Sequence, residues 1–124
     1  MLGAELTAAS CSFVANEGLL GGGLSLEQAS ADLEGSDFSS NLAYHGGGAY
    51  LTSDSTAALS EVLFESNHCI TEGGGLYLTG STSLSAEVCS FADNSPDALF
   101  RVGQGAVSLG LSVSFVCDDD GCQQ

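Results

Sequence analysis

Apolar and polar residues alternate over short stretches that recur at a nearly fixed distance along this chain. Leu6/Ala8, Ala31/Leu33, Ala57/Leu59 and Leu84/Ala86 are apolar pairs with one residue between them. A period of two over a few residues marks a short strand with one buried face. Five residues after each pair stands a phenylalanine: Phe13, Phe38, Phe64 and Phe91. Three residues further on stands an asparagine: Asn16, Asn41, Asn67 and Asn94. Successive phenylalanines are 25, 26 and 27 residues apart. A second strand follows each of three triple-glycine runs, at 21–23, 46–48 and 73–75. It reads Leu24-Ser25-Leu26, Ala49-Tyr50-Leu51 and Leu76-Tyr77-Leu78, with the outer residues expected to point inward and the middle one outward. The polar stretches 27–30, 52–56 and 79–83 then read as turns. No stretch carries a 3.6-residue period long enough for a helix.

A period in the twenties means that each repeat is one coil of a solenoid. Short strands in such a repeat pair with the same strands of the next coil, which builds parallel sheets with coils about 4.8 Å apart. The expected fold is therefore all-β, a parallel β-helix of about five coils with 25–27 residues per coil, forming one domain over residues 1–124. Each column then has a structural reason. The phenylalanines stack ring on ring down the core. The asparagines form an amide ladder at a corner and tolerate a left-handed backbone there. The glycines turn the chain at positive φ or let coils approach closely.

The end of the chain departs from the repeat. Gly103-Gln104-Gly105 stands in for the triple glycine, and Val107, Leu109, Leu111, Val113 and Phe115 alternate with polar or small residues. Asp118 replaces the expected asparagine. Residues 103–124 thus read as an atypical C-terminal cap. Pro96 is expected to open an irregular corner that runs through Arg101. At the other end, Leu6, Ala8, Cys11 and Phe13 already fit the later coils. The chain therefore reads as a segment of a longer array, with an open edge that invites end-to-end pairing with another chain.

Composition narrows the function. Hydrophobic residues make up 44% of the 124, which argues against disorder. Sixteen acidic residues face one base, Arg101, for a net charge of −15. Nucleic-acid binding needs a basic footprint and is not expected; attachment to an anionic membrane surface is disfavoured for the same reason. There is no apolar run near the 18 residues of a membrane-spanning helix, and the start shows no signal peptide. A chain sparse in charge and rich in Ser, Thr and Gly has the profile of an extracellular repeat protein.

The repeat resembles that of bacterial polymorphic outer-membrane proteins. The likeness rests on Gly22-Gly23-Leu24, Gly47-Gly48-Ala49 and Gly74-Gly75-Leu76, alternating with the four Phe-x-x-Asn tetrads, and runs from about Leu6 to Asn94. It implies a right-handed parallel β-helix, exported or surface-displayed, serving adhesion or surface contact. The tail from Cys117 to Cys122 lies outside the resemblance.

Candidate chemistry is sparse. Tyr50 and Tyr77 share an outward position on adjacent coils, flanked by Thr52 and Thr79. An exposed aromatic pair on a sheet stacks on a sugar, anchors a partner, or only stabilises its own sheet. Asp118-Asp119-Asp120 offers carboxylates to a calcium ion, or is a solvated acidic turn. Cys117 and Cys122 are placed to bridge the last turn. Cys11 and Cys89 share a column but lie three coils apart, roughly 14 Å and beyond disulfide reach, so they read as small buried hydrophobes. Cys69 falls near a corner. His45 and His68 occupy different places in the coil and are not expected to form one site, with His68 exposed. The carboxylates scatter over different columns; Glu34 and Glu87 share one, but Ser60 separates them. No catalytic set is readable. The expected role is thus a non-enzymatic, structural or adhesive segment of an exported or cell-surface protein, contacting a protein or glycan and not inserting into a membrane. The alternatives are a carbohydrate-binding or pectate-lyase-like β-helix, or a self-stacking filament module.

Overall fold

Strands of two to five residues are too short to stand alone, so each depends on neighbours above and below. The structure, a computed structural model, describes residues 4–95, 99–102, 106–109 and 114–116. The first coil holds β1 (Glu5–Ala9), β2 (Ser12–Val14) and β3 (Leu24–Glu27). The second holds β4 (Ser30–Glu34), β5 (Asp37–Ser39), β6 (Leu42–Ala43) and β7 (Ala49–Thr52). The third holds β8 (Thr56–Ser60), β9 (Leu63–Glu65), β10 (His68–Cys69) and β11 (Leu76–Thr79). Then come β12 (Ser83–Glu87), β13 (Ser90–Ala92), β14 (Leu99–Val102), β15 (Ala106–Leu109) and β16 (Ser114–Val116).

These strands sort into three main parallel sheets, ordered β1-β4-β8-β12-β15, β2-β5-β9-β13-β16 and β3-β7-β11-β14, with β6 and β10 as a small fourth pair. The result is the parallel β-solenoid that the repeat predicts, with about four turns where about five coils are expected, and β15 and β16 continue two of the sheets. Registers follow the sequence columns. Leu6, Ala31, Ala57, Leu84 and Val107 are successive partners in the first sheet, and Phe13, Phe38, Phe64, Phe91 and Phe115 in the second.

The core is a narrow column of apolar side chains filled by these registers. Its phenylalanine rings lie 4.5, 4.7 and 4.8 Å apart from Phe13 to Phe91 and within 7° of parallel. That distance is the strand spacing itself, so the sheet imposes face-to-face stacking. Beside the rings runs the expected amide ladder. Asn41 Nδ2 donates to Phe13 O at 2.8 Å and to Asn67 Oδ1 at 2.9 Å, while its backbone N–H also reaches Asn67 Oδ1 at 3.0 Å. Asn67 repeats the set on Phe38 and Asn94. Asn67 is wholly buried, and each hydrogen bond on it replaces water that cannot enter.

The left-handed backbone, however, falls one residue before the asparagines. Ala15, Ser40, Ser66 and Asp93 have φ between 54° and 56°. A second such column is Ser10, Gly35, Glu61 and Val88, at the corner between the first and second sheets. The amide ladder needs its asparagine backbones aligned, and the preceding residue makes the turn. In the glycine runs only the first member, as at Gly46 (φ 64°), uses positive φ. The last member is needed for space: a Cβ on Gly48 would lie 2.4 Å from Gly75 O and 2.9 Å from the Phe64 ring.

Three other expectations shift. The turns are shorter than 27–30, 52–56 and 79–83, because Glu27, Ser30, Thr52, Thr56, Thr79 and Ser83 belong to strands. Backbone pairing between coils continues through polar residues. Arg101 lies in β14 rather than at an irregular corner, since Leu99-Phe100-Arg101 pairs in register with Leu76-Tyr77-Leu78. The alternation from Val107 to Phe115 is divided between β15, which pairs with β12 of the first sheet, and β16 of the second. Residues 103–105, expected to replace the triple glycine, lie outside the described residues, as does Pro96.

Replacing Asn67 by Ala strands the Phe38 carbonyl and both Asn41 donors in the core. It should lower stability by about 3 kcal/mol or more, against about 1 kcal/mol for the exposed Asn16→Ala, measured by chemical denaturation. Val88 is β-branched at φ 53°, in a column where Gly35 already sits. Val88→Gly should therefore raise stability by about 0.5–1 kcal/mol, seen as a higher Tm.

Candidate binding surface

The third sheet turns its middle column outward. Ser25, Tyr50, Tyr77 and Phe100 are successive partners on β3, β7, β11 and β14. The Tyr50 and Tyr77 rings stack at 5.2 Å and 13°, and Tyr77 and Phe100 at 5.4 Å and 26°. Thr52 and Thr79, half-buried, end the same two strands on the same face as the tyrosines. The expected Tyr50/Tyr77 pair is thus a three-ring ladder. Both faces of Tyr77 are covered by neighbouring rings, so a sugar cannot lie flat on it. What the ladder presents is ring edges and phenol hydroxyls.

His45 joins this ladder, 5.0 Å from Tyr77 and 6.3 Å from Tyr50 by ring centroids. Its Nδ1 lies 2.6 Å from Thr71 Oγ1, and Thr71 Oγ1 donates to the Tyr44 carbonyl at 2.5 Å. A hydroxyl has one hydrogen, and the carbonyl takes it. His45 Nδ1–H is therefore the donor to Thr71. His68 is exposed on β10 and lies apart from this cluster in register. Phe100 was hidden in the sequence by its position after Pro96, where the period breaks. His45 was hidden because it shares no column with the tyrosines.

The remaining chemistry stays dispersed. The Glu34, Ser60 and Glu87 column is in register as expected, with the serine between the two carboxylates. A shallow groove of about 430 Å³ crosses the outward face of the first sheet, lined by Thr56, Ala58, Ser83, Ser85 and Ser108 without a titratable side chain. A second depression, about 460 Å³, has Glu5 and Asp54 on its wall. Among the described residues no group of three or more His, Cys, Asp or Glu is placed to hold a metal ion. Cys11, Cys69 and Cys89 carry thiols. Cys89 is buried as expected, whereas Cys11, in the first coil, is only partly so. Burial pushes the Cys89 thiol above its usual value and keeps it unreactive. Asp118, Asp119, Asp120, Cys117 and Cys122 lie outside the described residues.

No family model, no curated protein and no solved structure matches this chain. Any functional reading therefore stands on the residues and their geometry.

Burial first, then the charge of Glu72, hold the Tyr77 phenol above its ordinary value. A folded-state value above the unfolded one means that the folded chain keeps the proton longer. Stability from this group is intact below about pH 10 and is lost as pH rises through the folded value. Glu72→Gln should move the Tyr77 tyrosinate transition to lower pH, read by ultraviolet absorbance in a Tyr44→Phe/Tyr50→Phe background.

Proposed function

We propose that this chain is a non-enzymatic, structural and adhesive β-solenoid segment of an exported, surface-displayed protein. The observation that carries this reading is the outward ladder of Tyr50, Tyr77 and Phe100 on a wall stiffened by backbone bonds from coil to coil. Rigid aromatic edges with hydroxyls bind at little entropic cost, since the side chains are already ordered. The resemblance of the glycine and Phe-x-x-Asn repeats to those of bacterial polymorphic outer-membrane proteins supports the same role. Catalysis fits the geometry poorly, because Ser60 separates the two carboxylates of the Glu34/Glu87 column and the groove on the first sheet is lined by no acid or base.

Surface binding of the labelled chain to cells and to a glycan array tests this. Tyr50→Ser/Tyr77→Ser should reduce retention at least tenfold while leaving the strand-rich circular dichroism spectrum unchanged. Turnover of a polyuronate by the unmodified chain would sink the non-enzymatic reading in favour of a carbohydrate-active one.

A further inference from the structure

The position three after each ladder asparagine is large and apolar in three coils: Leu19, Tyr44 and Ile70. In a solenoid such a column is ordinarily core. Here it points to solvent: Leu19 is 69% exposed, Tyr44 50% and Ile70 60%, with Leu20 beside them at 41%. Single exposed apolar residues are unremarkable, but a repeated, contiguous set is a patch.

The backbone fixes this corner. Tyr44 N–H and His45 N–H both donate to Leu19 O, at 3.1 and 3.4 Å. In the next coil Thr71 N–H donates to Tyr44 O at 3.1 Å and Ile70 N–H to Ala43 O at 3.0 Å. Leu20 forms a parallel bridge with His45. The side chains therefore rise one coil at a time, about 4.8 Å per step, as a stripe beside the aromatic ladder. Its backbone is already ordered, which removes much of the entropic penalty of binding.

Charge selects the occupant. Glu17, two residues before Leu19, is exposed and bridges to Leu42. Glu72, two residues after Ile70, is close enough to act on the Tyr77 phenol. With a net charge of −15, a second copy or an anionic surface would bring like charges together, whereas a basic partner gains from every contact at the rim. We propose that the stripe of Leu19, Tyr44 and Ile70 is a docking site for a basic polypeptide whose apolar side chains sit on the stripe and whose lysines or arginines meet Glu17 and Glu72. This rests on the adhesive reading above and names its partner class.

Two synthetic peptides of equal length, one alternating Lys and Leu, the other Lys and Ser, test the site by fluorescence anisotropy. The Lys-Leu peptide should bind at least tenfold tighter, weaken as salt is raised, and fall to the Lys-Ser level with Leu19→Ser/Ile70→Ser, whose exposed positions leave the fold intact. Equal affinity for both peptides, or no effect of the double substitution, overturns the proposal. So does a dimer in sedimentation that the double substitution dissociates, because the occupant is then a second copy. Cell adhesion separates the two readings. Adhesion that falls with Tyr50→Ser/Tyr77→Ser, while the Leu19→Ser/Ile70→Ser chain holds the Lys-Leu peptide as tightly as the unmodified chain, overturns the docking site and leaves the adhesive role standing. A chain that adheres to no cell, yet holds the Lys-Leu peptide through these residues, supports the site and removes the adhesive role.

Discussion

A stack of short coils stands only if every coil keeps the same height, and the buried asparagine ladder enforces that height. Asn41 and Asn67 each engage a phenylalanine carbonyl on one side and an asparagine amide on the other. A coil out of step would leave several polar groups dry and unpaired. The phenylalanine rings stack at the same interval, so the polar ladder and the apolar column impose one spacing. Coils still differ in length, from 25 to 27 residues between ladder partners. The extra residues are confined to two corner positions. One lies between β7 and β8, where residues 53–55 do what 28 and 29 do one coil earlier, and it is lengthened again between β11 and β12 by residues 80–82. The other lies before the third glycine run and brings in Glu72.

This division explains what was legible in the sequence. The inward columns could be read from spacing alone, because a core position recurs whenever a coil closes. Corner conformation could not. Ala15, Ser40, Ser66 and Asp93 include no glycine or asparagine to announce the turn, yet all adopt the same left-handed backbone beside the fixed asparagine. Direction was also hidden at Leu19, Tyr44 and Ile70: apolar character and period together suggest burial, and only the path of the corner turns them outward. Phe100 and Arg101 escaped for a third reason. Without a triple glycine before them, their strand carried no marker, although its register matches that of β11.

The two aromatic ladders show how position changes one interaction. In the core, neighbouring walls hold the rings at the strand interval and almost parallel. Outside, no facing sheet holds the rings, and the spacing widens to 5.4 Å and the tilt to 26° at Tyr77 and Phe100. The next column along that sheet ends differently. Leu26, Leu51 and Leu78 are buried, but their partner on β14 is the exposed Arg101. Among the described residues β14 is an edge strand of its sheet, and a charge at an inward register there discourages another strand from adding.

The asparagine ladder has a mechanical consequence. The buried side-chain amides of Asn41 and Asn67 each donate to a phenylalanine carbonyl of the preceding coil and to the asparagine of the following one, so the coils are joined in series, each by its own set of rungs. Tension along the axis therefore reaches every interface equally, and the weakest yields first while the others hold. Each coil pulled free would lengthen the tether by roughly 85 Å of extended chain. Pulled along its axis, such a stack gives way coil by coil rather than all at once.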